Sequence, residues 1–254
     1  MAATPFKSGG WSGIAAEEFA KYLPSLESIL ADGTIIVNKP DRIVRRLDLD
    51  GASFFAKSFL KPKRLDDRLK RAIRKPIPFK LWRIHDEMLA KGVGCPRPMV
   101  AATDNGGTQL FICTAISFPR SCDLIRRVSL EGLPGVFTKA AHAIAKLHRA
   151  GFIHGDALPG NICLDDDGSA AFIDNDRTSH IPPLFGGVAR RRNLVQFCAH
   201  TFFREEIDIE HYTLFFVEYM KEYVNVTPST ETVDGFIRDV RTRTAEIQAE
   251  RAAR

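Results

Sequence analysis

GFIHGDALPGNICLDDDGSAAFIDNDR, residues Gly151 to Arg177, sets His154, Gly155 and Asp156 in one triplet, with Asn161 five residues beyond the aspartate and Asp174 thirteen beyond the asparagine. Gly151 closes the helical pattern before it, so the triplet opens a loop. Asn161 to Leu164 then reads as a short strand, Asp165 to Gly168 as a turn, and Ser169 to Ile173 as a second strand that ends on Asp174. A loop followed by a hairpin returns three oxygen-bearing side chains to one place. Phosphoryl transfer asks a protein mainly for positioning and charge neutralisation: a carboxylate beside the attacking hydroxyl, and oxygen ligands for magnesium on nucleotide phosphates. Asp156 fits the first role, Asn161 and Asp174 the second. The competing reading, a surface hairpin that happens to carry HGD, an Asn and an Asp, must treat a triplet, two intervals and a hairpin as coincidence.

Outward from this stretch, the 254 residues are 44% hydrophobic, enough for a sizeable core. Cys95, Cys113, Cys122, Cys163 and Cys198 are odd in number and contain no CxxC pair, which argues against a disulfide or metal framework. The opening MAATPFKSGGWSG has no apolar run of signal-peptide length, and no later stretch approaches the ~18 apolar residues of a membrane span. The expectation is a cytoplasmic enzyme.

The net charge of +5 is unevenly placed: Lys57 to Arg83 holds eleven Lys or Arg against two Asp, leaving the rest of the chain net negative. Such a segment suits an anionic membrane surface, a phosphorylated glycolipid or nucleic acid, and equally a solvated helix face.

Ala15 to Leu30 reads as helix interrupted near Pro24 and ended by Gly33, and 1–33 is expected to be a helical appendage. From Thr34 the pattern becomes an antiparallel meander: TIIV, RIVRRLDL, a turn at Asp50 and Gly51, and ASFFAKSF. Lys57, near the middle of the third strand, has the position of a fixed cation for the α and β phosphates of ATP; an exposed strand lysine is the alternative. A helix over Phe79 to Lys91, strands near Met99 to Ala102 and Gln109 to Ala115, and a hinge over Thr114 to Arg120 follow. Val136 to Ala150 is expected as a helix behind the loop, and the chain from Arg190 as mostly helical. The domain reading is an appendage (1–33), an N-lobe (34–115) and a C-lobe (116–254).

LHRAGFIHGDALPGNICL, then FIDNDRT and RRRNLVQF, together with WRIHDEMLAKGVGCPRPMV, resemble the lipopolysaccharide kinase family, the bacterial Kdo and heptose kinases related to protein kinases. The resemblance covers roughly Ile35 to Phe203 and implies an α+β, two-lobed protein-kinase-like fold that uses ATP and Mg2+. It makes Asp156 the catalytic base, Asn161 and Asp174 the metal ligands, and Lys57 the nucleotide-phosphate ligand. His154 becomes a brace for the loop, Asp176 and Arg177 supporting residues that orient the site or meet an anionic substrate, and Arg190 to Asn193 either a contact to acceptor phosphates or a helix cap. Two departures stand out. The turn NKPD at 38–41 lacks the glycines that let backbone amides approach phosphate, and the helix from Phe79 offers Lys57 only Asp86 and Glu87, late in the helix.

The leading functional expectation is an ATP-dependent kinase acting on a sugar hydroxyl of lipopolysaccharide core or a related envelope glycolipid, peripheral on the cytoplasmic face of the inner membrane, with nucleic acid disfavoured as a partner. HGD also occurs in antibiotic and choline kinases and in atypical protein kinases, so a small-molecule or protein kinase is the first alternative; Arg190 to Arg192 argue against a cationic acceptor. A kinase-like binding protein without turnover is the second.

Overall fold

The computed structural model describes residues 3–60, 76–182 and 184–253. The chain divides into two compact units, one of 1–90 with 96–116, the other of 91–95 with 117–254. The change of unit at Ile116 and Ser117 lies within the stretch Thr114 to Arg120 expected as a hinge. Most of the basic segment, 61–75, lies outside the described residues.

The first unit is built on one antiparallel sheet of seven strands: β1 (Ala3–Ser8), β2 (Trp11–Ala16), β3 (Thr34–Lys39), β4 (Arg42–Leu49), β5 (Ala52–Phe59), β6 (Pro98–Asp104) and β7 (Gln109–Thr114), in the order β1-β2-β6-β7-β5-β4-β3. The meander from Thr34 is present with the β4–β5 boundaries read from sequence. Its turn, Asp50 (φ +49°) and Gly51 (φ +79°), has positive φ at both central positions, the geometry that matches the twist of a two-residue hairpin.

Residues 1–33 are not a helical appendage. Residues 3–16 form the β1–β2 hairpin, turned by Gly9 and Gly10 at φ +53° and +77°, and β2 pairs with β6 from Trp11↔Asp104 to Ala15↔Val100. A 3-10 helix over Glu17–Ser25 and α1 (Leu26–Asp32) follow, and Phe19 and Leu26 are buried in the same core as Leu47, Phe54 and Ile112. The physical reason is alternation too short to outweigh the neighbouring helical pattern: FKSGGWSGIAA has its glycines at the turn and within a strand, and a sheet edge supplies the pairing that local propensity does not. Gly13 has no room for a side chain, since a Cβ there would lie 2.1 Å from the Ala101 carbonyl oxygen.

Helix α2 (Ile77–Ala90) buries Leu81, Trp82, Ile84, His85 and Met88. His85 Nδ1 lies 2.8 Å from the Pro96 carbonyl, and its ring meets Phe111 edge-on at 5.2 Å. Gly92 ends the helix region at φ +70°.

The second unit is mostly helical: α3 (Ser121–Arg127), α4 (Leu133–Arg149), α5 (Gly187–Ala199), α6 (Ile209–Val224) and α7 (Thr230–Ala252). Phe137 of α4 meets Phe197 of α5 and Phe215 of α6 edge-on, Phe197 and Phe215 stack at 5.0 Å, and Phe216 of α6 stacks on Phe236 of α7 at 4.4 Å. Each such buried ring contributes about 1.5–3 kcal/mol. Two small strand pairs sit with these helices: β8 (Phe152–Ile153) with β11 (Ser179–His180), and β9 (Ile162–Leu164) with β10 (Ala170–Phe172). Among the described residues no helix is long and apolar enough to cross a membrane.

Candidate active site

Helix α4 ends at Gly151, whose φ of +84° turns the chain into β8 and delivers His154, Gly155 and Asp156. The buried His154 side chain ties the triplet to the hairpin strand. Its Nδ1 accepts the Asp156 backbone N–H (3.1 Å), so Nε2 carries the ring proton and donates it to the Ile173 carbonyl (3.0 Å), immediately before Asp174. Burial pushes the His154 pKa down and keeps the ring in this neutral form, against the opposing pull of the Ile173 hydrogen bond and of Asp156 and Asp174.

Asn161 closes the frame from the other side. Its Nδ2 donates to the Asp156 carbonyl (2.9 Å), and its own carbonyl accepts the Ile173 N–H (2.9 Å). Asp156, Asn161 and the strand leading to Asp174 are therefore bonded to one another. Asp174 is exposed and takes a left-handed conformation, φ +58° and ψ +49°, one of three non-glycine residues with positive φ among those described. The buried Asn175 holds this turn: Nδ2 donates to the Phe172 carbonyl (2.8 Å), and Oδ1 accepts the Thr178 hydroxyl (3.0 Å). A left-handed aspartate costs of order 1 kcal/mol and persists because its surroundings fix it.

Gly155 has a steric reason. A Cβ there would stand 2.2 Å from the Cβ of Arg177 and 2.6 Å from its carbonyl oxygen, so the Arg177 main chain packs directly behind the triplet. The Arg177 side chain is exposed and Asp176 is half-buried.

Two residues of α5 support the site: Asn193, expected from sequence to contact acceptor phosphates or cap the helix and found instead on His154, and Gln196, which the sequence had not marked. Asn193 donates through Nδ2 to the His154 carbonyl (2.5 Å) and accepts the His154 N–H through Oδ1 (3.1 Å). The same Oδ1 lies 3.1 Å from His148 Nε2, while His148 Nδ1 meets the Tyr219 hydroxyl at 2.9 Å. Because Oδ1 can only accept, His148 donates from Nε2, and in the neutral ring that burial favours Nδ1 then accepts the Tyr219 hydroxyl proton. Burial brings its pKa down to about 4, with Arg190 adding to the effect and Asn193 opposing it. The second residue is Gln196, one turn further along α5, whose Nε2 donates to Asp156 Oδ1 (2.8 Å). Its Oε1 is buried without a hydrogen-bond partner, so the bonding of this amide goes to Asp156. RRRNLVQF contains both residues at i and i+3, the spacing of one helix face, and that periodicity was the available signal.

Lys57 belongs to the first unit. It is half-buried in β5, in register with Val44 of β4 and Phe111 of β7, so it sits on an interior strand of the sheet. Of the two acids considered beside it, Glu87 accepts Arg83 at 2.8 Å within α2. The β3–β4 connection is the two-residue turn at Pro40 and Asp41. Arg190 Nη1 donates to the Phe185 carbonyl (2.5 Å), and Arg191 pairs with Asp239 (2.5 Å).

An α+β chain of two units, one an antiparallel sheet with a helix and the other mainly helical, with an HGD loop and an aspartate at the end of the hairpin after it, has the two-lobed protein-kinase-like fold. The solved structure of WaaP in complex with acyl carrier protein has this fold, with a TM-score of 0.63 at 13% sequence identity over 93% of this chain and 95% of that one. In sequence, the chain is 34% identical over 92 residues to the 3-deoxy-D-manno-octulosonic acid kinase of Vibrio parahaemolyticus serotype O3:K6 (strain RIMD 2210633). That match spans 35% of this chain and 39% of the relative's length. No protein-family model matches. The chain thus resembles a 3-deoxy-D-manno-octulosonic acid kinase in sequence over 92 residues and shares its fold with WaaP.

Proposed function

We propose that this chain is an ATP-dependent kinase that phosphorylates a sugar hydroxyl of lipopolysaccharide core or a related envelope glycolipid. The observation that carries the proposal is the His154 bridge: one neutral ring bonds the Asp156 amide on one side and the residue before Asp174 on the other, which supports assigning the two carboxylates as base and metal ligand of one site. The named relative's substrate, 3-deoxy-D-manno-octulosonic acid, supports a sugar as the acceptor class.

In this reading Asp156 takes the acceptor's proton as the sugar oxygen bonds to the γ-phosphorus and ADP departs. Gln196 holds one carboxylate oxygen, leaving the other for that proton. The donor set suits magnesium. Asp174 offers an exposed carboxylate, and Asn161, whose amide nitrogen is spent on Asp156, offers a carbonyl oxygen; both are hard oxygen ligands. Among the described residues no three His, Cys, Asp or Glu form a metal cage, and magnesium characteristically completes its shell with phosphate and water. When bound, the ion neutralises charge on the phosphates. Lys57 is assigned to the nucleotide phosphates, His154 to bracing, and Asp176 and Arg177 to support of the loop.

In this reading the protein works at the cytoplasmic face of the inner membrane. The charge of the segment Lys57 to Arg83 supports that location, and reversal of Lys61, Lys63, Arg64 and Lys70 to Glu would weaken any binding it gives to anionic vesicles. The test of the function is magnesium-dependent transfer from ATP to purified core glycolipid, read as a gain of one phosphate by mass spectrometry. Asp156→Asn should lower transfer ~100-fold or more while nucleotide binding persists, as expected for loss of a general base. Retention of more than about a tenth of the activity would remove Asp156 from that role.

A further inference from the structure

We infer that Leu184, Phe185 and Val188, at and just before the start of α5, form a membrane-docking tip that enters an anionic phospholipid surface; the inference deepens the glycolipid reading and rests on it for its biological purpose. Leu184, Phe185 and Val188 are 92%, 67% and 87% exposed, three large apolar side chains within five residues. Scattered single apolar residues are ordinary on a protein surface, but three clustered at one helix start are not.

The tip is built rather than loose. The Phe185 N–H donates to the Pro182 carbonyl (2.9 Å), and the Ile181 N–H to the Gly151 carbonyl (2.7 Å). Gly186, at φ +81°, is seated so closely that a Cβ would lie 2.8 Å from Ile181 Cγ2 and 3.2 Å from Ile153 Cδ1. Ile153 immediately precedes His154.

Charge decides the occupant. From Thr178 to Arg204 the sequence contains no Asp or Glu, while Arg190, Arg191 and Arg192 follow the apolar cluster directly. Arg192 is exposed, Arg190 is hydrogen-bonded back to the Phe185 carbonyl, and Arg191 is paired with Asp239. Apolar side chains ahead of arginines match the acyl boundary and the anionic headgroups of a bilayer in that order. A second copy of this loop would instead face like charge.

The test is sedimentation with vesicles of phosphatidylethanolamine and phosphatidylglycerol, compared with phosphatidylcholine alone, in the absence of nucleotide. The full chain should pellet with the anionic vesicles, and the triple variant Leu184→Ser, Phe185→Ser, Val188→Ser should bind at least ~10-fold more weakly, as expected for losing the insertion of three apolar side chains. All three are exposed, and the variant should melt with the parent. Phe185→Trp should show a blue-shifted emission increment with anionic vesicles over the parent's own Trp11 and Trp82. Equal binding by parent and triple variant, an unshifted Phe185→Trp signal, or loss of self-association in place of vesicle binding would overturn the inference. Phosphotransfer to a delipidated sugar acceptor, measured in parallel, separates the two readings. The triple variant should keep that activity; if the parent binds vesicles through the tip yet transfers phosphate to no sugar, docking stands and the proposed function fails.

Discussion

Acidification should release the helix that supports the HGD loop, through His148. This side chain is buried and neutral, donating to Asn193 and accepting from Tyr219, with its pKa brought down to about 4 by burial. In the unfolded chain it titrates near 6.5. A folded value below the unfolded one means that the unfolded state binds more protons between about pH 6.5 and about 4. The stabilisation is therefore fully present above pH 6.5 and is lost as pH falls toward 4, about 3 kcal/mol in all. His154, shifted in the same direction by burial, adds to the loss. The experiment is urea unfolding of the parent and of His148→Phe at pH 7 and pH 4.5. Comparing the two proteins cancels the carboxylates that also begin to titrate. The parent should lose about 2–3 kcal/mol more than the variant over this interval. An equal pH dependence in both would refute the assignment of a neutral, buried His148, and with it the hydrogen-bond directions drawn for Asn193.

Gly155→Ala should destabilise the second unit by roughly 2 kcal/mol or more and reduce transfer, because the new Cβ meets the Arg177 main chain; an unchanged melting temperature would contradict the packing. Gln196→Leu removes an amide whose Oε1 is buried and unbonded, so stability should hold within about 1 kcal/mol while kcat falls roughly 10- to 100-fold at unchanged nucleotide KM. Wild-type kcat in that variant would show that Asp156 needs no positioning donor. Asp174→Gly suits the left-handed backbone and should leave the fold within about 1 kcal/mol of the parent, yet weaken magnesium nucleotide binding at least ~10-fold by calorimetry; intact affinity would take Asp174 out of the metal site.

The sequence by itself determined the local pieces of this protein. Asp50 and Gly51 dictate a positive-φ hairpin turn, Gly151 ends a helix, and the alternation of ASFFAKSF makes a strand, because these signals act within a few residues. The HGD triplet and its two intervals were legible for the same reason, since loop and hairpin are contiguous. Tertiary structure decided what depends on residues distant in the chain. The edge hairpin of residues 3–16 exists because β6 is there to pair with it, across more than eighty residues that no local pattern reports. Asn193 and Gln196 reach His154 and Asp156 only because α5 packs beside β8, which brings side chains thirty-nine and forty residues apart into hydrogen-bond distance. The neutrality of His148 and His154 likewise follows from burial, a property of the assembled core rather than of either residue.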